Sequence, residues 1–347
     1  HTLNQYLLLS GIEFLFVYYV IKRGERLKYG YKGIIEGIAI AGGIQGICAL
    51  LAYFFPVVRF FFLKYQGDVF QNSWHLARRG YGFSSMMLDM FGYGMGLIAG
   101  IVLLSDQFRG IKKIVLQLLS LLSICLNART GLVIYAISVL LYMIKSKTLR
   151  KSVLKLVIII IPVFLIIRCL TPFVMSSLNG NKNENFQWIG QGITYIYSII
   201  FERNSNATTV ISRFDVFPSN IVNLILGTGN SVYNNYLHED IGFQSDAGYM
   251  NLIWQIGIVG TVVLLVSILI WMWRSFRKSS VNERFIGLFL ILAYIVVLIK
   301  GRPVGYNPGI VVTYLCMFSR MYYTNAGNYC CDFWRRKRRN SFVRGLS

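Results

Sequence analysis

Carboxylates are scarce in this chain. Asp and Glu number 14 against 35 Lys and Arg, and only 3 His occur among 347 residues, giving a net charge of +21. With so few groups able to take a proton near neutral pH, a general base has to come from a short roster. Cysteine offers no scaffold either. Cys48, Cys125, Cys169 and Cys316 lie in or beside apolar runs and Cys330-Cys331 in a basic tail, so neither a disulfide framework nor a zinc-ligand spacing follows. Gly227-Thr228-Gly229 lacks the Gly-Lys-Ser/Thr ending of a phosphate-cradling loop, which removes the commonest nucleotide-binding signal. No internal repeat is visible, and no broken helix near the centre of a span can be read from the apolar runs. Both absences weigh against the repeat architecture of secondary transporters.

Apolar length is what the chain has in quantity. Hydrophobic residues make up 55% and charged residues 14%, with a mean hydropathy of +0.54, values of an integral membrane protein. Runs long enough for spans cover approximately 3–21, 33–55, 84–104, 114–126, 132–144, 153–170, 250–273, 285–299 and 307–323. They predict an all-α polytopic membrane helical bundle of roughly nine helices. The arms on either side of Asn127-Ala128-Arg129-Thr130-Gly131 are each short for a bilayer core about 30 Å thick.

The positive charges form no single patch, which excludes nucleic acid as a partner. They fall in alternate loops instead: Lys22, Arg23 and Arg26; Arg109, Lys112 and Lys113; Lys145 and Lys147; Arg274, Arg277 and Arg284; and the tail Arg335-Arg336-Lys337-Arg338-Arg339. By the positive-inside rule these share the cytoplasmic face. Residues 55–84, the turn at 127–131, the long polar stretch 171–249 and Gly301-Arg302-Pro303 then face outward. The chain divides into transmembrane helices at 1–170, one large extracytoplasmic loop at 171–249, further transmembrane helices at 250–323 and a basic cytoplasmic tail at 324–347. It starts at His1 rather than at a Met, as expected of a sequence lacking its natural beginning and further spans, or of one trimmed at a signal peptide.

Positive charge on the outer face runs against that rule and calls for a reason. Arg78-Arg79 precede Gly80-Tyr81-Gly82-Phe83; Arg129 and Arg302 sit in tight turns; Arg213 lies in the long loop. Snorkelling toward headgroups accounts for a single span-end arginine. Several arginines on one external cavity are instead the planar, permanently charged, bidentate donors that a pyrophosphate needs. Among the outer proton acceptors, Asp246 opens the run that carries Gly257-Ile258-Val259-Gly260, where a helix-capping role is the plain alternative. His238 lies nearby in sequence, beside Glu239-Asp240. Asp89, just inside a span, reads as the partner of Arg78 or Arg79. Gly227-Thr228-Gly229 follows Ile221-Val222-Asn223-Leu224-Ile225-Leu226 and reads as the exit of a short amphipathic or interfacial helix.

Three places in this order resemble the bacterial O-antigen and capsular polysaccharide polymerases and the related O-antigen ligases. They are Asn127-Ala128-Arg129-Thr130-Gly131 at a tight outer turn; Arg213 followed by Leu226-Gly227-Thr228-Gly229; and Ser245-Asp246-Ala247-Gly248-Tyr249 with Asn251, Gly257 and Gly260. The charge alternation and the single large outer loop late in the chain are similar as well. Members of that family commonly carry a His-Asn pair leading into the span after the loop; this chain has Asp246 and, further on, Asn251. The resemblance implies a bacterial cytoplasmic (inner) membrane enzyme that joins undecaprenyl-pyrophosphate-linked saccharides on the outer face with inversion and without a metal or cofactor. It also implies membrane lipid, chain-length regulators and flippases as partners. In that reading Arg129 and Arg213, with Arg79 and Arg302, bind the pyrophosphate, and Asp246 or, second, His238 is the catalytic base. Two other functions stay open on the sequence: an O-antigen ligase, and a transporter or flippase whose arginines bind lipid-linked saccharide without chemistry.

Overall fold

The computed structural model describes residues 2–27, 30–66, 80–83, 89–127, 130–146, 217–229, 248–277, 279–300 and 311–324. Every regular element among them is helical: α1 (Thr2–Arg26), α2 (Tyr31–Phe54), α3 (Pro56–Gln66), α4 (Asp89–Leu104), α5 (Gly110–Asn127), α6 (Thr130–Lys145), α7 (Ile221–Leu226), α8 (Gly248–Arg277), α9 (Val281–Lys300) and α10 (311–324). Four of these, α2, α5, α8 and α9, are long and apolar enough to cross a bilayer, and Met90–Leu104 and Thr130–Lys145 are shorter apolar helices. Of the nine expected spans, four are full-length apolar helices and two are shorter ones, while those at 3–21 and 307–323 are helical as α1 and α10; the run at 153–170 lies outside the described residues, as does most of the long loop.

The distribution of side chains identifies the solvent. On α5 the buried positions are Ser120, Ser123, Ile124 and Asn127, one helical stripe, whereas Ile111, Ile114, Leu118 and Leu122 are exposed. Water would reverse that arrangement; lipid tails favour it. The buried hydroxyls are satisfied within the helix, Ser120 Oγ donating to the Leu116 carbonyl at 2.9 Å and Ser123 Oγ to that of Ser120 at 2.8 Å. On α8, Val259, Val262, Val263 and Val266 are likewise exposed. A membrane protein follows from this inside-out pattern as well as from composition.

At the centre lies α4, whose Phe91, Tyr93, Met95, Leu97, Ile101, Val102 and Leu104 are all buried, packed against α2, α5, α6 and α9. In lipid, helices gain little from hiding apolar surface from one another, so close van der Waals fit has to hold them. Small residues provide it. A side chain at Gly96 would sit 2.7 Å from the Gly131 carbonyl oxygen of α6, and one at Gly131 would run into Gly92 of α4 and Ile124. Gly42 of α2 admits Ile98, and Gly46 admits the Leu119 backbone of α5. The α5–α6 hairpin forms as anticipated, with helix on either side of 128–129 and arms of 18 and 16 residues.

Among the described residues, basic groups from several helices gather at one end of the bundle. Lys145 Nζ donates to Asp106 at 2.7 Å and to the Leu104 carbonyl at 2.8 Å, and Asn282 of α9 reaches the other Asp106 oxygen. Lys112 of α5 pairs with Glu36 of α2. Arg320 of α10 pairs with Glu283 at 2.9 Å, donates to Ser279 Oγ at 2.9 Å, and lies over the Tyr31 ring. A cavity of about 310 Å³ lined by Tyr31, Lys32, Asp106, Arg109 and Glu283 sits among these groups. Ties from α2, α5, α6, α9 and α10 therefore converge on one end, as the alternation of charge in the sequence requires.

Candidate functional site

At the opposite end, a short non-helical stretch, residues 80–83, is fastened between helices. Asn127, the last residue of α5, is fully buried. Its Nδ2 donates to the Ser123 carbonyl at 3.0 Å, and its Oδ1 accepts from the Gly80 amide at 2.8 Å. Gln45 of α2 holds the next residues: Nε2 donates to the Tyr81 carbonyl at 2.5 Å, and Oε1 accepts from the Phe83 amide at 3.2 Å. Backbone irregularity inside an apolar environment persists only where its polar groups are satisfied, and two side-chain amides do that here.

Glycine is required at this crossing. Gly82 has φ +56°, and a Cβ on Gly80 would stand 2.6 Å from the Ala49 carbonyl oxygen of α2. Tyr81 is buried with its ring edge-on to Phe91 of α4, and Phe83 meets Phe62 of α3 at 4.8 Å. Helix α3 occupies sequence expected as loop. Phe55 takes an extended conformation that closes α2, and Pro56 starts the next helix, the position a proline tolerates. It carries Arg59, half-buried near Tyr53; burial draws this guanidinium below its ordinary value, opposed by Tyr53. Among the described residues no carboxylate pairs with Arg59.

A second junction joins the long loop to α8. Helix α7 is capped at its start by Asn220, whose side chain accepts from the Val222 amide at 2.9 Å, and ends at Gly227 with φ +87°. The chain is then stitched to α8 through backbone groups. The Thr228 amide donates to the Trp254 carbonyl at 2.7 Å, as does its hydroxyl at 2.8 Å, and the Gly229 amide donates to the Gln255 carbonyl at 3.1 Å. Those carbonyls point outward because α8 is broken at Gly257, φ +69°, ψ 175°. The fit is close on both sides: a Cβ at Gly227 would approach the Gln255 carbonyl oxygen to 2.5 Å, and one at Gly257 would strike the Ile225 backbone. Beside the break Asn251, Gln255 and Thr261 are buried, with Thr261 Oγ1 donating to the Gly257 carbonyl at 2.6 Å.

This break corrects the sequence reading, in which α8 was one uninterrupted run. Its position matters. From Gly257 to Trp273, where the apolar run ends, α8 covers about 24 Å at 1.5 Å per residue, most of a hydrocarbon thickness. Gly257 therefore lies near one boundary of the span and not at its middle.

No family model, curated protein or solved structure matches the chain. Each of the six residues singled out from the sequence, Arg79, Arg129, Arg213, Arg302, His238 and Asp246, falls outside the described residues. Their described neighbours are placed: Gly80 follows Arg79, Asn127 precedes Arg129 by two positions, and Gly248, two residues after Asp246, opens α8. Gly80 and Asn127 are in direct contact. Sequence reasoning missed Gln45, Arg59 and the bracing role of Asn127. An amide inside an apolar run is the signal by which Gln45 could have been found; Glu13 of α1 gives the same signal, with a buried Oε2 that has no hydrogen-bond partner among the described residues.

Proposed function

We propose that the chain polymerises undecaprenyl-pyrophosphate-linked oligosaccharide repeat units at the outer face of a bacterial cytoplasmic membrane, producing O-antigen, capsular or exopolysaccharide. The observation that supports this most is the hydrogen bond from Gly80 to Asn127, because it joins the residue after Arg79 to the end of the helix before Arg129. Two arginine-bearing segments 50 positions apart in sequence thus share one anchor on the end of the bundle opposite the basic loops. A pyrophosphate leaving group gathers negative charge as its bond to the anomeric carbon breaks, and fixed guanidinium groups stabilise that charge directly.

The reaction balances simply. The hydroxyl oxygen of the acceptor sugar bonds to the donor's anomeric carbon as the carbon–oxygen bond to the pyrophosphate breaks. The hydroxyl proton passes to a base, Asp246 first and His238 second, and the departing lipid pyrophosphate is held by Arg129 and Arg213 with Arg79 and Arg302. Inversion follows from attack opposite the leaving group. Half-buried Arg59 joins the set of outer cations as a further candidate.

A broken helix is also a mark of transporters, whose substrate sites lie at discontinuous helices near the bilayer midplane. The boundary position of Gly257 favours the polymerase over that reading. A ligase handing finished glycan to an acceptor differs in product only. The test is genetic and chemical: with protein levels unchanged, Arg129→Ala and Arg213→Ala are each expected to abolish long-chain glycan on gels, and purified protein should lengthen lipid-linked repeat units without an energy source. Normal chain lengths in both variants would overturn the arginine assignment; single-repeat glycan after deletion favours the polymerase over the ligase.

A further inference from the structure

At the basic end, α8 and α9 leave a groove between them that the proposed chemistry does not use. It measures about 220 Å³ and is lined by Trp273, Phe276, Leu288 and Ile291, with Arg277 and Arg284 beside them. Gly287 forms its floor, since a Cβ there would stand 2.5 Å from the Phe276 ring, and Phe276 is buried against α9 in consequence. Trp273 on the rim is 60% exposed. The groove is smaller than the ~300–1,000 Å³ of ordinary small-molecule sites and suits a chain lying lengthwise.

Charge at its mouth is of one sign. Arg277 and Arg284 are both exposed, Arg284 being steadied by donation from Nε to the Ser279 carbonyl at 3.0 Å. The nearest acid, Glu283, is committed elsewhere: it pairs with Arg320 at 2.9 Å and accepts from the Ser280 amide at 3.2 Å. Among the described residues neither Arg277 nor Arg284 has a carboxylate partner. Arg277 lies one helical turn, about 6 Å, beyond Trp273, where the apolar run ends, which sets its guanidinium just outside the hydrocarbon, at the depth of lipid phosphates.

We infer that this groove binds one anionic phospholipid of the leaflet on the basic side, its phosphate held by Arg277 and Arg284 and an acyl chain lying along Trp273, Phe276, Leu288 and Ile291. A guanidinium pair recognises phosphate oxygens bidentately, while the apolar slot below gives the chain a fixed bed that bulk lipid lacks. The inference stands apart from the catalytic proposal, which concerns the other end of the molecule.

Native mass spectrometry of the purified full chain, in detergent carrying phosphatidylglycerol or phosphatidylcholine of identical acyl chains, tests it. The unaltered protein is expected to retain one phosphatidylglycerol in preference to phosphatidylcholine. Arg277→Gln, which removes an exposed side chain, should weaken phosphatidylglycerol retention about fivefold and Arg277→Gln with Arg284→Gln about thirtyfold, with phosphatidylcholine unaffected. Arg23→Gln, another exposed cation of the basic loops, should change neither. Equal retention of the two lipids overturns the proposal, as does an equal loss with Arg23→Gln. So does a dimer that retains no lipid, since the groove would then be covered by a second copy.

Discussion

Replacing Asn127 by Ala tests the anchor on which the outer end depends. The substitution removes two hydrogen bonds, that from Nδ2 to the Ser123 carbonyl at 3.0 Å and that accepted from the Gly80 amide at 2.8 Å. They are not equivalent. The Ser123 carbonyl sits inside α5 and keeps the helical bond from the residue 127 amide, so its loss costs little. The Gly80 amide is buried, and a buried donor left without an acceptor costs about 1–3 kcal/mol. That figure corresponds to roughly 5- to 150-fold faster amide exchange at Gly80 if the segment opens locally. Hydrogen-exchange mass spectrometry of the protein in nanodiscs reads this directly in peptides covering 80–83. Gln45→Ala is the internal control: it frees the Tyr81 carbonyl, which is not an exchanging group, and the Phe83 amide, whose bond is longer, at 3.2 Å, and exposed where that of Gly80 is buried, so its acceleration should be smaller. Unchanged protection at Gly80 in Asn127→Ala, or a larger effect from Gln45→Ala, would refute the assignment of Asn127 as the anchor.

Two other substitutions probe the joints of the fold. Gly257→Ala places a Cβ against the Ile225 backbone at a positive φ and is expected to cost upward of ~1–3 kcal/mol, seen as a lower melting temperature in detergent, whereas Thr228→Val removes one hydroxyl bond and keeps the amide bond to Trp254, costing ~0.5–1.5 kcal/mol; equal melting of both variants would contradict the stitched junction. Gly131→Val forces α4 and α6 apart at their closest approach, and a loss of about 1–3 kcal/mol is expected; an unchanged melting temperature would show that these helices do not pack as described.

Much of the scaffold was legible because membrane topology is written in coarse features. Apolar runs placed α2, α5, α8 and α9, and the spacing of Lys and Arg foretold that Lys112 and Lys145 would lie at one end; Arg320, inside an expected span, and the acidic partners Glu36, Asp106 and Glu283 were not foretold. The hairpin at 127–131 was visible from two short arms, and the end of α7 at Gly227 from a glycine after an apolar turn. Helix α3 was not, since an eleven-residue apolar run after a proline, broken by Arg59 and Lys64, is too short to span and reads as part of a loop until the neighbours that receive Phe62 are known. The break at Gly257 was invisible for a related reason. A glycine inside an apolar run is common in spans, and only the arrival of Ile225 and Leu226 against it, some thirty positions away in sequence, decides that the helix opens there. The arginines and acids proposed for chemistry were chosen by type and side of the membrane, and their mutual geometry is what the glycan-length and lipid-linked assays address.

The stitch between α7 and α8 is made almost wholly of main-chain groups. Apart from the Thr228 hydroxyl, it asks nothing of side-chain identity except that residues 227, 229 and 257, all at positive φ, have none. A joint of that kind fixes where the chain lies while leaving the neighbouring side chains open to change. Mutational scanning should therefore find intolerant glycines at 227, 229 and 257, set beside exposed positions such as Ile221, Val222, Leu226, Ile258 and Val259 that accept broad substitution. Contacts on the exposed side of that joint can change without rebuilding the frame that holds them.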